Sequence, residues 1–307
     1  MAQLRNSFAS LVASLTLGIA VDGLADQGKA VPRPIDRVIK ANQIRLGTTD
    51  KIVGGETALE GKYPFQVALI WSGTQKGDEQ SGQFCGGSLI NADWVLTAAH
   101  CVPATQPDEI EIFAGSNVLP RSIGPSDLNA GVRLKVARVI SHQGYASATH
   151  DNDLALLRLS EAAPGNLKPA VPATADMTAS VGDKLTVIGW GATVEGGEGS
   201  AVLMEVSVTR QNSELCKMNY QSFFDKLPGS GDASITENMF CAGEPKGNLD
   251  SCQGDSGGFI GFRRDDGEWV QVGAVSWGIG CARPELFGVY TQVANYTDWI
   301  QEVQKNF

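Results

Sequence analysis

From Ile52 onward the chain alternates short apolar runs with turn residues. The runs "FQVALIW" (65–71), "GGSLI" (86–90), "EIEIFAG" (109–115), "VRLKVARVIS" (132–141) and "LALLRLS" (154–160) form a first set. A second set follows: "KLTVIGWG" (184–191), "VLMEVSVT" (202–209), "WVQVGAVSWG" (269–278) and "GVYTQV" (288–293). Alternation at a period of two places apolar side chains on one face of a strand, and the β-branched content favours the same reading. Frequent Gly and Pro mark the turns between them. Only the C-terminus is expected to be helical: "VANYTDWIQEVQK" puts Val293, Tyr296, Ile300 and Val303 on one face. The pattern predicts an all-β body of two sheets or barrels closed by a helix. No sequence repeat of solenoid period is present, nor any low-complexity tract.

Residues before Ile52 follow a different pattern. "FASLVASLTLGIAV" (8–21) is a fourteen-residue run without charge behind the basic Arg5. It is short for a membrane-spanning helix, which needs about 20 residues, and it matches the apolar core of an export signal. Gly23 and Ala25 allow cleavage after Ala25, and Gly18 and Ala20 allow it after Ala20; 1–25 is expected to be the signal peptide. Residues 26–51 are basic, contain two prolines and hold no sustained period, which suggests an activation pro-segment. No later run is apolar enough to enter a membrane, so stable insertion is not expected.

Composition narrows the function classes. The chain has 307 residues, 42% hydrophobic and 19% charged, with net charge −10. That balance is globular rather than disordered and disfavours a phosphate-backbone partner, so no nucleic acid is expected. Residues 1–51 hold seven Lys/Arg against four Asp, which leaves 17 basic and 30 acidic residues, net −13, from Ile52 onward. The basic pro-segment therefore has an acidic body to lie against. The chain has only three histidines (His100, His142, His150), a supply that nearly excludes a multi-histidine metal centre. Six cysteines follow the export signal and none forms a C-x-x-C pair, so disulfides are expected rather than zinc. Spacing alone does not choose among their 15 pairings.

Three islands carry chemistry. "WVLTAAHC" (94–101) ends an apolar strand at His100. "HDNDLALLRLS" (150–160) places Asp153 at the start of another. "GDSGG" (254–258) sets Ser256 between a carboxylate and two glycines. A serine hydroxyl is a poor nucleophile until an imidazole takes its proton, and the imidazole needs a carboxylate to fix its tautomer and support its charge. Singly, each island reads equally well as a core histidine, a strand-entry turn and a flexible loop. Together they describe an activated hydroxyl.

These islands, with "KIVGG", "YPFQVAL", "FCGGSLI", "GWG", "MFCAG", "DSCQGDSGG", "VSWGIGCA" and "GVYTQV", appear in an order that resembles the trypsin/chymotrypsin-like serine peptidases from Ile52 to the C-terminus. The resemblance implies two six-stranded antiparallel β-barrels packed together, about 65–165 and 180–292, with a C-terminal α-helix about 293–305. The serine–histidine–aspartate triad is that family's own template, so the roles follow from the likeness: His100 as general base, Asp153 as its orienting carboxylate, Ser256 as nucleophile. The main-chain N–H groups of Gly254 and Ser256 would form the oxyanion hole. The implied disulfides are Cys85–Cys101, Cys216–Cys241 and Cys252–Cys281.

The resemblance also implies a specificity and a switch. Asp250 matches the base of the primary pocket, where a buried carboxylate needs the cation that a substrate Lys or Arg supplies. Gly278 and Gly288 match the pocket walls, Ser251 and Tyr290 its floor, and the Ser276 backbone the strand that pairs with substrate. Cleavage between Lys51 and Ile52 would free an ammonium to pair with Asp255, and Lys51 fits the preference Asp250 implies. The reading is thus a secreted (or periplasmic) serine endopeptidase made as a zymogen. It is expected to act as a monomer on peptides and proteins with Lys or Arg before the cut bond, without cofactor or metal, and to meet protein protease inhibitors.

Departures from the family pattern are visible. Phe259 and Phe287 stand where proline is usual. "FAGSNVLP" (113–120) lacks the acidic residues of a calcium loop, and "WSGTQKGDEQSGQFC" is a long first surface loop. Two other classes compete. A catalytically inactive member serving as a binding module usually loses a triad residue, and this chain keeps all three. An α/β-type acyl hydrolase needs alternating helices and a G-x-S-x-G elbow, which the strand-rich pattern and "GDSGG" oppose.

Overall fold

The computed structural model describes residues 55–121, 131–192, 198–226, 235–247, 254–280 and 283–307. The expected signal peptide and pro-segment, with Lys51, Ile52, Asp250, Ser251, Cys252 and Cys281, lie outside the described residues. Fourteen strands are present among them: β1 Glu56–Thr57, β2 Gln66–Trp71, β3 Gln83–Leu89, β4 Trp94–Thr97, β5 Ile110–Ala114, β6 Val132–Ser141, β7 Ala155–Leu159, β8 Val171–Pro172, β9 Lys184–Gly189, β10 Met204–Thr209, β11 Met239–Ala242, β12 Phe259–Arg263, β13 Trp269–Trp277 and β14 Gly288–Gln292.

Strands β2-β3-β4-β7-β6-β5 close into a six-stranded barrel, antiparallel throughout. Alternation along these strands turns Leu89, Val95, Ile112 and Leu157 into a solvent-free interior. The remaining strands follow the order β1-β10-β9-β12-β13-β14-β11, with β8 on β13. The two-residue β1 and β8 are additions to a run of six longer strands. An isolated bridge between Arg210 and Ala242 joins the ends of that run, β10 and β11, supported by the Gln211 N–H on the Cys241 carbonyl at 2.8 Å. Val187, Val208, Phe240, Ile260 and Val270 fill its interior. This is the double-barrel architecture.

Val293, Tyr296, Ile300 and Val303 are all buried, carried by a 3-10 turn Val293–Tyr296 and the helix Thr297–Asn306. A second helix corrects the sequence expectation that only the C-terminus is helical. Ser213–Phe224 forms three turns, started by Asn212, whose side chain accepts the Leu215 N–H at 3.0 Å. Its buried stripe is Cys216, Tyr220 and Phe224, while Leu215 and Met218 face solvent. Apolar residues on both faces blur the period, so the pattern did not announce itself. Cys216 bonds Cys241 on β11 and pins this helix to the second barrel, and Cys85 bonds Cys101.

Strand β12 was not expected either, and it explains Phe259. The Phe259 side chain is fully buried. Its ring lies 4.7 Å from Phe65 and 5.9 Å from Trp269, while Trp269 lies 4.8 Å from Tyr63. Phe259 belongs to a second-barrel strand but packs in the first barrel's core cluster with Ile188 and Trp190. It is a wedge in the seam between barrels. Phe287 is buried likewise, beside Tyr220 and Trp277. Phe259→Ala should lose about 4 kcal/mol of stability through lost burial and the void left behind. Urea unfolding checks this, and Phe259→Leu is expected to recover most of the loss.

Candidate functional site

The site forms where the barrels meet. His100 sits in a 3-10 turn, Ala99–Cys101, directly after β4, and the Cys85–Cys101 bond ties that turn to β3. Asp153 lies two residues before β7, in a turn where His150 (φ 56°) and Asn152 (φ 55°) take left-handed conformations. Both His100 and Asp153 are buried.

Donors converge on Asp153 from both barrels. Its Oδ1 accepts the His100 backbone N–H at 2.8 Å. Its Oδ2 pairs with His100 Nδ1 at 2.7 Å and accepts from Ser276 Oγ at 2.6 Å. Thr291 Oγ1 donates to the Asp153 carbonyl at 2.8 Å. Burial alone would raise this carboxyl's pKa; the charge and hydrogen bond of His100, with smaller contributions from His150, outweigh burial and hold it well below the usual carboxylate range. An ionised carboxylate only accepts, so the Nδ1 proton of His100 faces Asp153, and in the neutral ring the lone pair then falls on Nε2. That is the state in which an imidazole can take a proton from a hydroxyl.

Ser256 enters from the second barrel. The Gly86 N–H donates to its carbonyl at 2.8 Å, which brings β3 against the serine loop. The same carbonyl is 3.4 Å from Cys101 Sγ, itself 3.8 Å from His100 Nε2. Glycine is required on both sides. Gly254 (φ 91°) and Gly257 (φ 77°) hold left-handed conformations, and a side chain at Gly257 would strike Thr97 and the Gly86 carbonyl. Between Gly254 and Ser256, Asp255 points inward and is fully buried, with Oδ1 accepting the Gly191 N–H at 2.9 Å. A methyl group at Gly189 would run into this carboxylate. The "GWG" stretch thus reads as a cradle for Asp255, while Trp190 Nε1 donates to the Asn117 carbonyl at 2.9 Å.

Other expected residues have described positions. Gly278 follows β13, and an added Cβ there would meet nothing closer than 3.7 Å, so its bareness leaves open space. Gly288 opens β14 opposite Ala242, and Tyr290 is buried in a stack on Phe240 at 5.4 Å. Sequence reasoning had given Ser276 a backbone role and missed its hydroxyl on Asp153. It also missed His150, whose Nδ1 is 3.5 Å from Asp153 Oδ2 and whose ring centre is 5.4 Å from that of His100. No sequence signal links these residues, because the contacts exist only after folding.

Two groupings among the described residues bring three potential metal ligands within 4.8 Å of one another. Cys85–His100–Cys101 has its sulfurs joined in a disulfide, and in His100–His150–Asp153 two members already bond each other.

A family model described as trypsin matches residues 52–300. The chain belongs to the trypsin family of serine peptidases. It is 36% identical over 265 residues to transmembrane protease serine 7 of Homo sapiens, covering 82% of this chain and 28% of that protein. Identity to transmembrane protease serine 7 of Mus musculus is 36% over 264 residues, with the same two shares, 82% and 28%. The chain thus spans little more than a quarter of the length of these relatives. Among its described residues no helix is long and apolar enough to cross a membrane.

The depressed Asp153 pKa carries a stability signature. A carboxyl whose folded pKa lies below its unfolded value stabilises the fold above the unfolded pKa, and that stability drains as pH falls toward the folded one. Acidifying from about pH 5 to about pH 2 should therefore destabilise the wild type more steeply than Asp153→Asn. Urea midpoints across that range check it; parallel slopes would remove Asp153 as the source.

Proposed function

We propose that this protein is a secreted serine endopeptidase, made as a zymogen, that cuts peptide bonds after Lys or Arg. The observation that carries the reading is the hydrogen-bonded His100–Asp153 pair set beside the glycine-bounded Ser256 loop. In this reading Ser256 Oγ attacks the scissile carbonyl and gives its proton to His100 Nε2. The resulting imidazolium is stabilised by Asp153, and its proton then passes to the leaving amine. Water, deprotonated by the same histidine, releases the acyl group. The N–H groups of Gly254 and Ser256 receive the oxyanion, a function in which one lost donor costs about 3 kcal/mol.

Asp250 selects the cationic residue, with Ser251, Gly278 and Gly288 shaping its pocket and the Ser276 backbone pairing with the substrate chain. Cleavage after Lys51 frees the Ile52 ammonium to seek Asp255, whose burial makes a cationic partner valuable. Cys252–Cys281 ties the serine loop to the facing wall. The N-terminal apolar run directs export, and the pro-segment has no cysteine, so it leaves on cleavage. The mature enzyme acts as a monomer on protein substrates and is a target for protein inhibitors.

Ser256→Ala is expected to abolish hydrolysis and labelling by a serine-directed phosphonate while the protein stays folded. A folded wild type that resists the phosphonate would instead favour a binding module. Matched peptides ending in Arg, Lys or Phe test the pocket, and a preference for Phe would overturn the Asp250 assignment. If maturation is autocatalytic, the Ser256→Ala precursor stays uncut at Lys51 where wild type matures alone.

A further inference from the structure

We infer that Gln83 is a positioning residue for the oxyanion donors, a role that rests on the reading of the Gly254 and Ser256 N–H groups above. Gln83 is the last residue of the long first loop and the first of β3. Its side-chain Nε2 donates to the Gly254 carbonyl at 2.7 Å, across the seam between barrels.

The importance of that bond comes from peptide geometry. The Gly254 carbonyl belongs to the peptide unit joining Gly254 to Asp255. This unit lies between the one that carries the Gly254 N–H and the one that carries the Ser256 N–H. Holding it fixes ψ of Gly254 and φ of Asp255, and so the angle at which the two donors converge. Three successive carbonyls here are restrained. The Gly258 N–H holds that of Asp255 at 2.7 Å, and the Gly86 N–H holds that of Ser256 at 2.8 Å. Among the described residues, the Gly254 carbonyl alone of these three is held by a side-chain N–H donor. It also follows a residue with no Cβ and a left-handed φ of 91°, where local sterics restrain the backbone least.

A positioning group must itself be held. Gln83 closes the helical turn Glu79–Gly82, its N–H donating to the Gln80 carbonyl. Glu79 is buried against Arg133 at 2.7 Å. The Arg133 guanidinium also donates to the Thr74 and Gln75 carbonyls, each at 2.8 Å, which binds the loop to the first barrel. Gln80 Nε2 reaches the Gly199 carbonyl of the second barrel at 2.8 Å. The insertion that lengthens this loop thus serves as a stiff mount that delivers one amide to the back of the serine loop.

The test compares matured wild type with Gln83→Leu, which keeps the bulk and loses the donor. On an arginine peptide substrate kcat should fall about tenfold with KM within about twofold, because a tilted donor is weakened rather than deleted. A peptidyl aldehyde and the corresponding peptidyl alcohol supply the readout that a general distortion would not separate. With the aldehyde, Ser256 Oγ bonds to the carbonyl carbon, the C=O becomes an oxyanion facing the donors, and the serine proton moves to His100. The alcohol fills the same subsites without that oxygen. Aldehyde affinity should drop about tenfold and alcohol affinity should hold. Gln83→Glu, which sets an acceptor against a carbonyl, should lose at least as much and carries the test if the leucine variant does not fold. Wild-type kcat in the folded variant, or equal losses for aldehyde and alcohol, overturns the inference. Wild type that cleaves nothing counts against the proposed function itself; active wild type with an unaffected variant counts against Gln83 alone.

Discussion

A carboxylate with no access to water constrains this structure. Asp153 is fully buried, and burying an isolated charge is prohibitively costly unless donors replace the lost water. No single barrel supplies them. His100 offers its backbone and ring N–H groups from the first, while Ser276 and Thr291 reach across from the second. The carboxylate is satisfied only when the barrels are docked, and the same docking orients the imidazole. The stability of the seam and the geometry of the site are therefore one problem.

The rest of the seam follows from that requirement. Phe259 wedges between Phe65 and Trp269, and its position opening β12 comes two residues after Gly257. Close backbone approach on the same strand-to-loop contact favours glycine: a Cβ at Gly86 would lie 3.2 Å from the Gly258 Cα. Apolar packing sets how near the barrels come, and backbone hydrogen bonds then set the register of the serine loop. The Gln83 amide belongs to this second layer of control.

Legibility varied with how local the cause was. Strands β6 and β9 could be read from alternation because each owes its shape to its own residues. The C-terminal helix was legible for the same reason. The helix Ser213–Phe224 was not, because Leu215 and Met218 on its outer face break the apolar stripe. Strand β11, "MFCA", is too short and too uniformly buried to show a period. Within the site, His100, Asp153 and Ser256 could be nominated from motif and chemistry. Ser276's hydroxyl and Gln83 could not, since their partners stand 123 and 171 residues away, and His150, although close to Asp153 in the chain, meets the His100 ring only after folding.

By itself the sequence determined the all-β class and the family and nominated the reacting groups, because alternation, motif order and side-chain chemistry are written locally. Tertiary structure alone decided that six longer strands of the second sheet close through Arg210 and Ala242, that Phe259 becomes a wedge between barrels, and that Asp153 takes donors from both. Those outcomes depend on distances between segments far apart in the chain, which packing sets and no local pattern encodes.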